Sequence, residues 1–160
     1  MATNPLQRTL YTLLNANAAL NAQVQSRYYP EARAQVGASI HGQLPSIIYS
    51  VNEDEPMVAM NGVIQFYEAV VEILILDSTA KSAAETANLV LPVLHNRKNV
   101  SITGGGTGQA ADTALVMFSR LEKQVTGYLA PQNGENTGVF THSMLFRIMY
   151  RENIATAGEA

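Results

Sequence analysis

The chain has 160 residues, a formal net charge of −3 and no cysteine, which excludes disulfides, thiolate metal ligands and a cysteine nucleophile. Charged residues make up only 14%, against a typical quarter. The ten basic residues are scattered, with only Arg97 and Lys98 adjacent, so the basic footprint that tight nucleic-acid binding needs is missing. A chain of this size suits a single domain able to bury a core without staples.

Asn4 followed by Pro5 reads as an N-cap and first helical residue, because proline lacks only an N–H that would be unpaired there anyway. Leu6, Leu10, Leu13 and Leu14 follow at the spacing of a helix with one buried stripe. Asn15-Ala16-Asn17 breaks it, and Ala18–Val24 reads as a short second helix capped by Asn17. Arg27-Tyr28-Tyr29-Pro30 is extended, since the residue before proline is pushed out of helical backbone. Residues 31–44, with Gly37 and Gly42, read as a long loop. Pro45 introduces a strand over Ser46–Asn52, where Ile47, Tyr49 and Val51 alternate with Ile48 and Ser50. Glu53-Asp54-Glu55-Pro56 is expected to end that strand as a charged turn.

Val63–Asp77 is the second strand. Ala69, Val71, Ile73 and Ile75 form its core face; Glu68, Val70, Glu72, Leu74 and Leu76 form the other. Asp77, Ser78 and Thr79 are all competent caps for the next helix, whose expected stripe is Ala80, Ala83, Ala84, Ala87, Leu91 and Leu94, with a kink or frayed turn at Pro92. The longest apolar run, Ala69–Leu76, is interrupted by Glu72 and is too short to span a bilayer, and the N-terminal residues lack a signal-peptide pattern, so a cytoplasmic site of synthesis is expected. Asn99–Asp112 reads as a glycine-rich loop, Leu115–Phe118 and Gln124–Leu129 as two extended stretches, and Pro131–Gly138 as a turn. Gly138–Glu152 closes the pattern as a strand. Phe140, His142, Met144, Phe146, Ile148 and Tyr150 share an aromatic face; Val139, Thr141, Ser143, Leu145, Arg147, Met149 and Arg151 share a polar, basic one. A strand so late must pair with something earlier. The whole predicts an α+β domain over residues 1–152, a mostly antiparallel sheet with the N-terminal and central helices packed on one face, followed by an extension over 153–160.

No constellation in the chain reads as an active site. Gly104–Gly108 lacks the lysine of a phosphate loop and reads as a flexible loop. His41, His95 and His142 lie in separate segments, and His142 reads as a hydrogen-bonded core or interface histidine, not a metal ligand. Glu68 and Glu72 sit two strand positions apart on one face, where they meet solvent or a neighbouring subunit's basic residue rather than forming an acid–base pair across a cleft. With Arg147 and Arg151 they are candidates for a subunit interface. Tyr28, Tyr29, Tyr49, Tyr67 and Tyr150 interleave with no basic cluster, so packing explains them better than a stacking platform.

The order of segments is nonetheless distinctive: a helix with Leu10, Leu13 and Leu14, then Arg27-Tyr28-Tyr29-Pro30, then Leu44-Pro45-Ser46-Ile47-Ile48-Tyr49, the strand Ala69–Leu76 into an alanine-rich helix to Leu94, and a hairpin into Phe146-Arg147-Ile148-Met149-Tyr150-Arg151. It resembles the tail-completion proteins of long-tailed phages, also called tail terminators or tail-to-head joining proteins. The resemblance covers most of the chain, though 31–43 and 99–112 are longer than the corresponding links and 153–160 run past the usual end. It implies a structural virion protein without cofactor, metal or membrane association, made in the host cytoplasm. Such a protein forms a six-fold ring that caps the tail-tube protein and meets the neck or connector proteins, while DNA passes through the lumen without tight binding. If a ring encircles DNA, like charge along its lumen keeps the duplex from sticking. Glu53, Asp54 and Glu55 are then a candidate channel-facing turn. Alternatives are a neck, head-completion or tail adaptor protein, a small cytoplasmic enzyme using Glu68 and Glu72 or His142, and a small-ligand binding domain.

Overall fold

The computed structural model of the protein describes residues 5–25, 27–30, 44–58, 60–62, 64–96, 98–101, 113–131 and 138–153. Among them, α1 (Pro5–Asn15) and α2 (Ala18–Val24) precede β1 (Tyr28–Pro30), β2 (Ser46–Val58) and β3 (Ile64–Asp77). The helix α3 (Ala80–Leu94) follows, then β4 (Lys98–Ser101), β5 (Thr113–Leu129) and β6 (Val139–Asn153). All six strands form one sheet in the order β1-β2-β3-β6-β5-β4. Every pairing is antiparallel except that of β1 with β2. The α+β class is therefore as the sequence predicts. The segments 31–43 and 104–108, His41, and residues 154–160 lie outside the described residues.

One face of the sheet makes the core. Ile47 and Tyr49 of β2, Ala69, Val71, Ile73 and Ile75 of β3, and Met144, Phe146, Ile148 and Tyr150 of β6 meet Leu6, Leu10 and Leu14 of α1, Leu20 and Val24 of α2, and the inner side of α3. The alternation of β3 and β6 is realised as predicted, because burial on one side leaves a period-two strand only one register that keeps its apolar set dry. Of the α1 stripe, Leu6, Leu10 and Leu14 are buried and Leu13 is half-buried against them. Asn17 caps α2 by accepting the Leu20 N–H at 2.9 Å, and Gln25 ends it in left-handed backbone at φ 53°. Tyr28 ties three elements together: its hydroxyl donates to Asn21 Oδ1 at 2.7 Å and lies 3.3 Å from the Leu14 carbonyl. Burial, and then the neighbouring Tyr11, push its pKa up to about 12.

Four expectations are corrected. Glu53, Asp54 and Glu55 are not in a turn: β2 runs through them to Val58, each with a partner on β3. The strand continues because β3 is long enough to supply a full ladder, and Pro56 and the acids are tolerated because this part of β2 is an outer strand. The turn comes later, where Gly62 takes φ +82°. Residues 99–101, expected in a loop, belong to β4, which pairs with β5. The two extended stretches 115–118 and 124–129 are one strand, because bulges between Val116 and Phe118 and between Leu121 and Lys123 break the alternation without ending the ladder. On α3 the buried set is Ala83, Thr86, Ala87, Val90, Val93 and Leu94, while Ala80 and Ala84 are exposed. Alanine is cheap on either side of a helix and marks the face poorly. Buried Thr86 is accommodated because its hydroxyl donates to the Ser82 carbonyl at 3.0 Å. Thr79 is the residue that caps α3, accepting from the Ser82 N–H at 3.1 Å. Pro92 sits inside the helix, which continues through it to Leu94.

Candidate functional site: the open sheet face and its two edges

All three described helices pack on the core face, which leaves the opposite face of the four long strands without a helix among the described residues. Cross-strand register aligns its side chains in rows: Ile48, Leu74, Ser143 and Val125; then Ser50, Glu72, Leu145 and Lys123; then Glu53, Val70, Arg147 and Arg120; then Glu55, Glu68, Met149 and Phe118. Charges and apolar groups thus alternate across the face.

A charged network runs over it. Arg147 on β6 donates from Nη1 to Glu68 on β3 and from Nε to Glu122 Oε1 on β5 at 2.9 Å. Arg120 donates to the same Glu122 oxygen at 2.8 Å through Nη2. Arg120 and Arg147 are direct cross-strand partners, a like-charge pair that would be unfavourable alone. Glu122 between them removes the conflict. Its pKa is held below the usual carboxylate value, first by the bond from Arg147 and then by that from Arg120, while Glu68 and then Glu122 hold the Arg147 guanidinium further toward its charged form. Ser143 donates to Glu72 Oε2 at 3.1 Å. Of the four interface candidates, Glu68, Glu72 and Arg147 therefore have partners within the chain, and Arg151 is an exposed residue of β6 opposite Leu115.

The acidic run divides between the two faces. Glu53 opposes Val70 and Glu55 opposes Glu68, which places both on the open face; Asp54 opposes core residue Ala69 and turns to the helix side. There Asp54 Oδ2 accepts from the buried Tyr150 hydroxyl at 2.7 Å. Tyr150 also stacks on Tyr67, ring centroids 5.3 Å apart. A residue whose only evident purpose in the sequence is charge is thus part of the polar rim of the core.

The histidines do separate jobs. His142 pairs with Gln124 Oε1 at 2.8 Å, and partial burial lowers its pKa. His95, at the end of α3, accepts the Leu121 backbone N–H at 3.0 Å on Nδ1, next to a β5 bulge. Ser119 donates to the Leu94 carbonyl beside it. These contacts clamp the end of α3 to β5. Nothing in the sequence signals them, since both partners are created by the bulge and the helix end. Among the described residues, no group of three or more His, Cys, Asp or Glu side chains could hold a metal ion, and no helix is long and apolar enough to cross a membrane.

At both outer strands apolar side chains stand exposed: Val58 on β2 with Met60 in the turn beyond it, and Val125, Tyr128 and Leu129 on β5. The β5 end is tightly built. A Cβ on Gly138 would run into the Leu129 carbonyl oxygen and the Tyr128 side chain, so glycine is the residue that fits at the start of β6 there.

No family model matches the chain, and no curated protein matches it. Among solved structures, it is similar to a chain of the "Virion of native gene transfer agent (GTA) particle", with a TM-score of 0.57 and 14% sequence identity over 88% of this chain and 90% of that one. At that identity the likeness shows a shared fold spanning nearly the whole of both chains.

Proposed function

We propose that this chain is a structural virion protein, and within that class a ring-forming tail terminator that caps the tail tube and joins it to the neck. The observation that carries this reading is the fold shared, over 88% of this chain, with a chain of the virion of a gene transfer agent particle. The segment order described above supports the narrower assignment. The open sheet face, with its mixture of ion pairs and half-buried apolar groups, has the character of an assembly surface more than of a reaction site. Its partners in this role are further copies of the chain in a six-fold ring, the tail-tube protein on one side and neck or connector proteins on the other, with DNA passing through the lumen. Arg151, Glu68, Glu72 and Arg147 are then contact residues, with Glu68, Glu72 and Arg147 held in position by their bonds within the sheet. Glu53 and Glu55 share the open face, where Glu55 is suited to meet a basic residue of the next copy and Glu53 to face a lumen that must not bind phosphate. Asp54, engaged by Tyr150 on the other face, is not part of that lining.

Deleting the gene and imaging the particles by electron microscopy tests the assignment. Tails of uncontrolled length, detached from filled heads, are expected, with normal particles restored when the protein is supplied in trans. Tails of normal length joined to heads in the deletion would overturn it.

A further inference from the structure

Among the described residues, most of the outward side of each outer long strand has no neighbouring strand. β1 covers β2 only at Ile47–Tyr49, and β4 covers β5 only between Leu115 and Phe118. Among the described residues, no strand pairs with the outward edge of β2 from Ser50 to Val58 or of β5 from Ser119 to Leu129. Exposed edges of this length are templates for another strand, and a protein that keeps them either protects them or uses them.

We propose that these edges are the two halves of a seam between copies of this chain, the β2 edge around Glu53–Val58 of one copy pairing antiparallel with the β5 edge around Arg120–Val125 of the next. The proposal rests on the ring described above and says how its subunits join. Three features carry it. First, the edges lie at opposite ends of the block β2-β3-β6-β5, so a seam between them is head-to-tail, the kind of contact that closes rings. Second, each neighbouring pair in that block is antiparallel, so β2 and β5 run in opposite directions. Repeating the block side by side about an axis along the strands brings β5 against the next β2 in the antiparallel sense, and the alternation continues unbroken. Third, the edges are complementary in charge. Glu53 and Glu55 are exposed on the open face of β2; Arg120 and Lys123 are exposed on the open face of β5, with Glu122 offsetting one of them. Setting Glu55 opposite Lys123 sets Glu53 opposite Val125, both pairs on matching faces, with Arg120 further along the same side. Two strands that repel their own kind and attract each other favour the head-to-tail seam over edge-to-same-edge pairing, which is where specificity against open aggregation comes from.

Charge exchange tests the seam. One variant carries Glu53→Lys and Glu55→Lys, the other Arg120→Glu and Lys123→Glu; circular dichroism and thermal melts check that each keeps its fold. In native mass spectrometry each variant alone is expected to lose the ring peak, because both its edges then have the same sign. Mixing the two is expected to restore it, each variant's edges facing the opposite edge of the other. Because the chain has no cysteine, Glu55→Cys combined with Lys123→Cys supplies a second measurement: oxidation should produce a ladder of covalent oligomers on a non-reducing gel. Rings formed by both charge variants alone, with no ladder, would place the seam elsewhere and leave the ring standing. A parent chain that stays monomeric both in solution and on tail tubes would overturn the ring, and the seam with it.

Discussion

Phe146 and Arg147 are neighbours in β6 and live in different proteins, energetically speaking. Phe146 is fully buried on the helix-covered face, among Val71, Met144 and Ile148. Arg147 stands on the open face and holds Glu68 and Glu122 in a solvent-reached network. The strand period makes the two faces, and burial dictates composition along the whole of the covered face but only at the Ser46–Leu76 end of the other. On the covered face a wrong residue costs a cavity or an unsatisfied group. On the open face the exposed residues, such as Glu53, Arg120 and Lys123, can be exchanged at lower cost to folding, which leaves them free to be shaped by what they contact.

The largest effect that can break this contrast is Phe146→Ala, which should destabilise the fold by about 3–5 kcal/mol, as for other buried aromatics. Urea denaturation reads it, and an unchanged midpoint would mean that the two faces have been interchanged. Arg147→Ala, one residue on, should shift the midpoint far less, and the shift should fade as salt is raised, since the network is screened. A salt-independent loss comparable to that of Phe146→Ala would show that the open face contributes to folding as the core does. The smallest effect sharpens the contrast at the boundary, where His142 is partly covered. Burial lowers its pKa in the folded state below 6.5, so on acidification the unfolded chain takes up the proton first. Stability should therefore fall as pH drops from near neutrality through about 6.5 toward the lower folded value, and be unaffected by this group above it. His142→Gln should remove that portion of the acid sensitivity; an identical pH profile for parent and variant would show that burial of the imidazole has no energetic consequence.

What could be read from the residues follows the same division. The core sets of β3 and β6, the α1 leucine stripe and the Asn17 cap were legible because a single local rule, period or capping, decides each. The β2 extension was not, because Glu53-Asp54-Glu55-Pro56 has the composition of a turn, and only the length of β3 beside it makes it a strand. The unity of β5 was hidden by its bulges, each of which reverses the alternation that would have identified it. The buried face of α3 differs by a few residues from the predicted stripe because alanines give it no contrast. At the candidate site, the shared face of Glu68 and Glu72 follows from the strand period, but the bonds from Ser143 to Glu72 and from Arg147 to Glu68 depend on register between strands some 70 to 80 positions apart, which no local pattern encodes. The roles of His95, Ser119 and Asp54 arise only when the end of α3 and the rim of β2 reach strands distant in sequence.

One consequence of the strand order concerns synthesis. β6 lies between β3 and β5, yet it is made after both, more than 60 residues later than β3. A ribosome that has delivered everything up to Leu129 has released a β2–β3 hairpin and its helices, with the inner edge of β3 bare and β5 without the neighbour that fixes its place. Only when Val139–Asn153 has cleared the exit tunnel can the sheet fill its centre, and only then do β2 and β5 become the two outer strands of one block. Nascent chains crowded on a polysome therefore lack the paired edges through which finished copies would meet. Placing the central strand so late makes the block with β2 and β5 at its two sides a product of late synthesis.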